Sequence, residues 1–163
     1  MATTTTTAPK VLTLLMLVRG GRVLLGEKKR GFGAGFVNGF GGKVERGETV
    51  RDGALRELKE EAGIVATDAT KRGVVTFVYD DQPRPMEVHI FHASEFMGEP
   101  VETDEMRPLW FDLKAVPFDK MWPDDKHWYP LFLEGKKFEG TFWFTETTTI
   151  VKHELREVDE LTS

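Results

Sequence analysis

Two sets of neighbouring carboxylates in this chain of 163 residues are placed to do chemistry. The first is Glu57, Glu60 and Glu61 in "RELKEEAGI". Glu57 and Glu61 are four apart, so a helix sets both on one face, with Glu60 nearby. Like charges at that spacing cost a free helix about 0.2–0.5 kcal/mol, and they make more sense around a cation. Hard divalent ions such as Mg²⁺ take carboxylate oxygens and keep waters and substrate phosphates as further ligands. Arg56 is spaced to pair with Glu60 and hold it in place. The plainer reading, a solvated acidic face balanced by Lys59 and Arg56, stays open on these residues alone. The second set is Asp124 and Asp125 in "MWPDDKHW", between Trp122 and Trp128. That stretch is too aromatic for an ordinary surface loop. Its acids would cost several kcal/mol each if buried unpaired.

These residues need elements to position them. Thr49 and Asp52 are placed as an N-cap and its N3 partner, and Gly63 as a stop, for a helix running to about Ala62. Its apolar face is Ala54, Leu55, Leu58 and Ala62. A second helix is expected from Pro123 to Leu133, capped by an aspartate and kinked at Pro130. Strands are expected at Lys10 to Val18 and Arg22 to Gly26, joined by Gly20-Gly21. Further strands are expected at Gly73 to Tyr79, Met86 to Phe91, Arg107 to Leu113, Phe138 to Phe144 and Thr149 to Val158. The fold class this gives is one α/β domain with a mixed sheet and two helices, over residues 10–163. Residues 1–9, "MATTTTTAP", read as a disordered lead, with neither a secretory nor a transit signal.

The bulk numbers exclude some partners. With no cysteine there are no disulfides and no thiolate zinc sites. A net charge of −5 disfavours a nucleic acid polymer, which is usually gripped by basic surface. The longest apolar run, Val11 to Val18, is too short for a membrane span. A small anionic ligand remains open if a metal ion neutralises it.

The loop "GFGAGFVNGFGG" fails two phosphate-binding patterns. Gly42-Lys43 is followed by Val44 where a P-loop needs Ser or Thr, and the third glycine of a dinucleotide fingerprint is missing. The loop and the helix after it fit another pattern. Gly42, five residues, Glu48, seven residues, Arg56-Glu57-Leu58, one residue, Glu60-Glu61, one residue and Gly63-Ile64 meet every fixed position of the Nudix box. The chain resembles the Nudix hydrolases on these residues. The resemblance implies an α/β/α sandwich and an Mg²⁺-dependent enzyme (Mn²⁺ as a substitute) that cleaves a diphosphate linked to another group. Glu57, Glu60 and Glu61 would hold metal, one of them taking the proton of the attacking water, with Arg56 in the catalytic set. Which one is the base stays open.

Beyond the box, "RVLLGEKKRGFGAGFVNGFGGKVERGET", "MEVHIF", "VETDEMRP", "PFDKMWPDD" and "LREVDE" are similar to the animal MutT-like branch of that family, from about Val11 to Asp159. This implies modified purine nucleoside triphosphates as substrates, such as 8-oxo-dGTP and 2-hydroxy-dATP. It implies the carbonyl of Gly41 and Glu105 as further metal ligands. Asn38, Asp124 and Asp125 would read the base and Trp122 would stack on it. Phe32, Phe77, Met86 and Trp128 would line the pocket, with Thr13 and Lys28 on the sugar-phosphate side. Stacking on an indole is worth about 1–3 kcal/mol per base. Two adjacent acids in an apolar site cannot both ionise easily, so the pair can share a proton and present either two acceptors or an acceptor and a donor. Taken singly, the aromatics also read as core, Asp124 as a helix cap, Lys28 as a surface charge and Asn38 as a turn residue. His89 and His127 read as structural. The chain departs from the branch at Phe36-Val37, where its members carry Arg-Trp, so the pocket wall is left open. Other expectations are a monomer in the cytoplasm, with mitochondrial or nuclear pools as alternatives. The competing functions are hydrolysis of a dinucleoside polyphosphate, nucleotide sugar or capped RNA, and a non-catalytic nucleotide sensor.

Overall fold

The first two strands, β1 (Lys10–Arg19) and β2 (Arg22–Lys28), form an antiparallel pair. Gly20 and Gly21 turn the chain between them with φ of 59° and 76°, a region that L side chains seldom adopt. In this computed structural model, which describes residues 8–162, β3 (Val37–Asn38) pairs with β2 at Gly26 and Glu27, beyond the end of its pairing with β1. Helix α1 (Val50–Ala62) follows, then β4 (Val65–Ala66), β5 (Thr70–Tyr79), β6 (Met86–Ala93), β7 (Phe96–Met97) and β8 (Met106–Asp112). Helix α2 (Asp125–Leu133) and the strands β9 (Lys137–Thr145) and β10 (Thr149–Val158) complete the chain.

The main sheet has the order β10-β9-β5-β6-β1-β2-β3, and β8 also pairs with β2. It is mixed: β1 runs parallel to β6 and β5 parallel to β9, while the other pairs are antiparallel. The short strands β4 and β7 form a separate two-stranded sheet. Strand alternation divides the core in two. Leu15, Leu17 and Leu24 pack with Ala54, Leu58 and Ala62 of α1. Met16, Val23 and Leu25 turn the other way and join Trp128, Tyr129 and Phe132 of α2. One helix on each face makes the expected α/β/α sandwich.

The expected strands are all present, most of them a few residues longer. Helix α1 has the expected bounds, with Thr49 Oγ1 accepting from the Asp52 N–H at 3.1 Å and Gly63 in the left-handed region. Helix α2 differs from expectation. It begins at Asp125, and Asp124 occupies the cap position in helical geometry with no capping bond from its side chain. The side chain is committed elsewhere, as shown below. Residues 1–7 of the expected lead lie outside the described residues. Ala8 and Pro9 are held, their carbonyls accepting from Arg84 at 2.8 and 3.4 Å. Among the described residues, no helix is long and apolar enough to cross a membrane.

Candidate active site

Helix α1 delivers Glu57 and Glu61 on one face, and the turn before β8 brings Glu105 to them. Carboxylate oxygens of the three lie within 4.8 Å of one another. Thr103 ties that turn to the end of α1: its hydroxyl donates to the Glu61 carbonyl at 3.0 Å and accepts from the N–H groups of Glu105 and Met106. Thr103 went unnoticed in the sequence, where only its place in a polar "ETDE" turn hinted at such a role.

Burial raises the Glu61 carboxyl to a pKa of about 8; the Gly41 N–H that it accepts at 2.8 Å opposes this, and the charges of Glu57 and Glu105 add to it. Glu57 is also raised, by burial first, with Arg56 acting against it. Three clustered carboxylates, with oxygen donors alone, suit a hard divalent cation, which would offset what burial costs the charged forms of Glu57 and Glu61. The loop glycines make room for this arrangement. A Cβ on Gly41 would collide with the Thr13 carbonyl of β1, and one on Gly42 would lie 2.7 Å from the Glu57 carboxylate. The carbonyls of Phe40 and Gly42 accept from Leu15 and Thr13, so alternation turns the Gly41 carbonyl the other way.

Two expected members of the set behave differently from its other acids. Glu60 is half exposed and turned to Arg56 at 3.2 Å, outside the carboxylate cluster. Arg56 works as a clasp. It donates to Glu48 at 2.8 and 3.1 Å, to the Lys43 carbonyl at 3.0 Å and to Glu57 at 3.0 Å. Its own charged form is thereby stabilised, mainly by Glu48, whose carboxyl it lowers in turn. This binds the glycine loop to α1.

From Glu61 of the acidic cluster a cavity of about 210 Å³ runs to the start of α2. Thr13, Lys28, Gly41 and Glu61 lie on its wall together with Phe32, Asn38, Phe77, Met86, Trp122, Asp124 and Asp125. Trp122 stands between Phe32, stacked at 5.3 Å, and Phe36, edge-on at 4.6 Å. Asn38 Oδ1 accepts from the Gly39 N–H at 2.9 Å, which leaves its amide N–H groups for a ligand. Sequence reading did not foresee Leu12, Leu14, Tyr79 and Val88 in the wall.

Asp124 and Asp125 are each only 2% exposed. Burial raises both carboxyls; for Asp125 the neighbouring Asp124 charge raises it further. Burial thus disfavours the doubly ionised form of the pair and favours a proton shared between the two carboxyls. Trp128 is not in the cavity wall. It is fully buried, stacked on Phe138 at 5.8 Å, and its Nε1–H donates to Asp124 Oδ2 at 2.9 Å. Asp124 is thus oriented from behind by this tryptophan, which is also why it makes no helix cap. His89 is buried against Glu87 at 2.8 Å, and His127 lies over His153 at 4.5 Å; neither is in the cavity wall.

Comparison with known proteins supplies the family. The NUDIX domain matches residues 6–132. The chain is 52% identical to the oxidized purine nucleoside triphosphate hydrolase of Danio rerio, over 93% of this chain and 97% of that one. The Mus musculus protein of the same name is 51% identical, over 92% and 96%. Among solved structures, the mutator MutT protein from Bacillus halodurans is similar with a TM-score of 0.80 and 26% identity, over 90% of this chain and 97% of that one. With its carboxylates gathered on the box helix and the whole fold matched, the chain belongs to the NUDIX hydrolase family.

Proposed function

We propose that this enzyme hydrolyses oxidised purine nucleoside triphosphates, 8-oxo-dGTP and 2-hydroxy-dATP among them, to the monophosphate and pyrophosphate, and so keeps damaged bases from being incorporated into DNA. One observation carries the reading: a single cavity runs from a buried acid pair beside an indole to Glu61, one of three clustered carboxylates. The names of the zebrafish and mouse relatives support the substrate class.

Glu57, Glu61, Glu105 and the Gly41 carbonyl would hold Mg²⁺, with Mn²⁺ as a substitute. The ion, when bound, supplies positive charge to the phosphoryl oxygens. The chain's own residues do the rest. Lys28 and Thr13 face the sugar-phosphate side. Trp122 stacks on the purine, Asn38 offers N–H donors, and Asp124 and Asp125 meet the base edge. Phe32, Phe77 and Met86 exclude water around it. In the reaction an oxygen–phosphorus bond forms from water as the α–β anhydride bond breaks, and the water's proton passes to a carboxylate of the cluster. Glu60 and Arg56 act at one remove by fixing the loop and helix.

The test is kcat/KM over a panel of normal, oxidised and methylated purine triphosphates with Mg²⁺, for the wild type and for Asp124→Asn and Asp125→Asn. The expected result is a preference for oxidised purines that each substitution redistributes by about tenfold or more. Equal activity on undamaged purines, or variants with unaltered discrimination, would refute the assignment of the base site.

A further inference from the structure

Trp122 belongs to neither helix nor strand; it lies in the connection that leads into α2. Its own backbone element therefore does not set the plane of the indole. The loop between β2 and β3 surrounds it instead. Phe32 lies nearly parallel to the indole, 24° between the ring planes at 5.3 Å, and Phe36 meets it at 90° and 4.6 Å. Between the two, Gly33 passes so close that a Cβ there would lie 3.2 Å from the indole ring. Its φ of 86° is one that L side chains seldom adopt.

The two phenylalanines are held differently. Phe32 is 61% exposed in the middle of the loop. Phe36 stands at its end, where the Lys28 N–H donates to the Phe36 carbonyl at 2.9 Å and the Gly35 N–H to the Lys28 carbonyl at 2.8 Å. The next residue, Val37, is buried in the core and begins β3. Phe36 is thus anchored to the sheet, and Phe32 only to the loop. The contacts differ as well. Nearly parallel rings tolerate sliding, whereas an edge-on contact sets the positive rim of one ring against the negative face of the other and is sensitive to tilt. The core does not account for Phe36, which belongs to neither of its halves. Its ring lines the cavity, and the aromatic ring that it meets among the described residues is Trp122.

We infer that Phe36 is a positioning residue for base recognition: its edge-on ring fixes the tilt of Trp122, so that the indole is set for a flat base before one enters. The inference rests on reading the cavity as a purine site. Sequence reading left this stretch of wall open, and the structure gives it a task. A platform held in place before binding lowers the cost of ordering it on binding. That saving belongs to affinity, so it governs KM and leaves the hydrolytic step at the other end of the cavity alone.

The experiment compares Phe36→Leu, which keeps an apolar side chain but removes the ring, with Phe36→Tyr, which keeps the ring. In the full chain, KM for 8-oxo-dGTP should rise by about three- to tenfold in Phe36→Leu with kcat retained, and stay near wild type in Phe36→Tyr. An unchanged KM in Phe36→Leu overturns the inference, as does a loss confined to kcat or an equal effect in both variants. A second measurement needs no substrate. The chain has four tryptophans, so protein labelled with 5-fluorotryptophan gives four fluorine signals, that of Trp122 being identified by Trp122→Phe. In the ligand-free protein this signal should shift or broaden in Phe36→Leu and hold its place in Phe36→Tyr. A Trp122 signal unmoved by Phe36→Leu overturns the inference. Wild-type protein that hydrolyses no oxidised purine triphosphate overturns the purine reading instead, and the ligand-free fluorine signals then still decide whether Phe36 sets the indole.

Discussion

The two acid groups of this enzyme, one partly and one fully buried, are built in contrasting ways. Glu57, Glu61 and Glu105 come from two separate elements, so their oxygens ring a gap, and a peptide N–H and an arginine stand at its edge. Asp124 and Asp125 are adjacent on one helical turn and are partnered by an indole from behind. A ring of oxygens suits a cation, whereas two carboxyls side by side have room only for a proton between them. On the proposed reading the same residue chemistry serves hydrolysis at one end and recognition at the other, and the difference lies in which elements supply the acids.

The contrast can be broken most sharply at the hydrolytic end. Glu57→Gln should lower kcat by about a hundredfold or more while binding of an oxidised purine monophosphate, followed by tryptophan fluorescence, stays near wild type. Chelating the metal from the wild type should have the same split effect. Comparable loss of base binding would mean that the two ends are not separate. A smaller effect is expected behind the recognition end. Trp128→Phe keeps an aromatic ring against Phe138 but removes the donor to Asp124, so KM should rise by about tenfold with kcat retained. A loss confined to kcat would place Trp128 in the chemistry.

The smallest effect tests the proton itself. The Asp125 carboxyl is raised above its ordinary value in the folded state. Its contribution to stability is therefore present below the unfolded pKa of about 3.9 and is lost as pH rises through the raised value. Asp125→Asn cannot ionise, so it should melt about 2–4 °C above wild type near pH 8. The gap should shrink towards pH 4. Parallel melting curves across that range would show that the pair retains no proton.

How much of this was legible in the sequence depended on whether the signal was local. Helix α1 was readable from cap to stop because Thr49, Asp52, the apolar face and Gly63 all act within a few residues. The pairing of Glu57 with Glu61 followed from helical pitch alone. Glu105 entered only through the family resemblance, since no spacing rule links it to a helix more than forty residues earlier; Thr103 makes that link. Helical pitch places Glu60 near Glu61, but Arg56 draws its side chain aside, out of the carboxylate cluster. Trp128 was placed in the cavity wall by the family resemblance, and its reading as core was the alternative; the packing of α2 on β9 turns it inward. The Asp124 side chain follows Trp128 and is lost to the helix cap.

The opposed placement of α1 and α2 across the sheet bears on how such an enzyme can change. On the proposed reading, substitutions along α2 would alter the reader of the base, and those along α1 the cutting end. Between them lies β1, with Leu12 and Leu14 towards one face and Thr13 towards the other. Their free-energy effects should be close to additive, as they are for sites that share no partner. A lineage or a designer can therefore retune which damaged base is removed while inheriting the hydrolytic machinery intact.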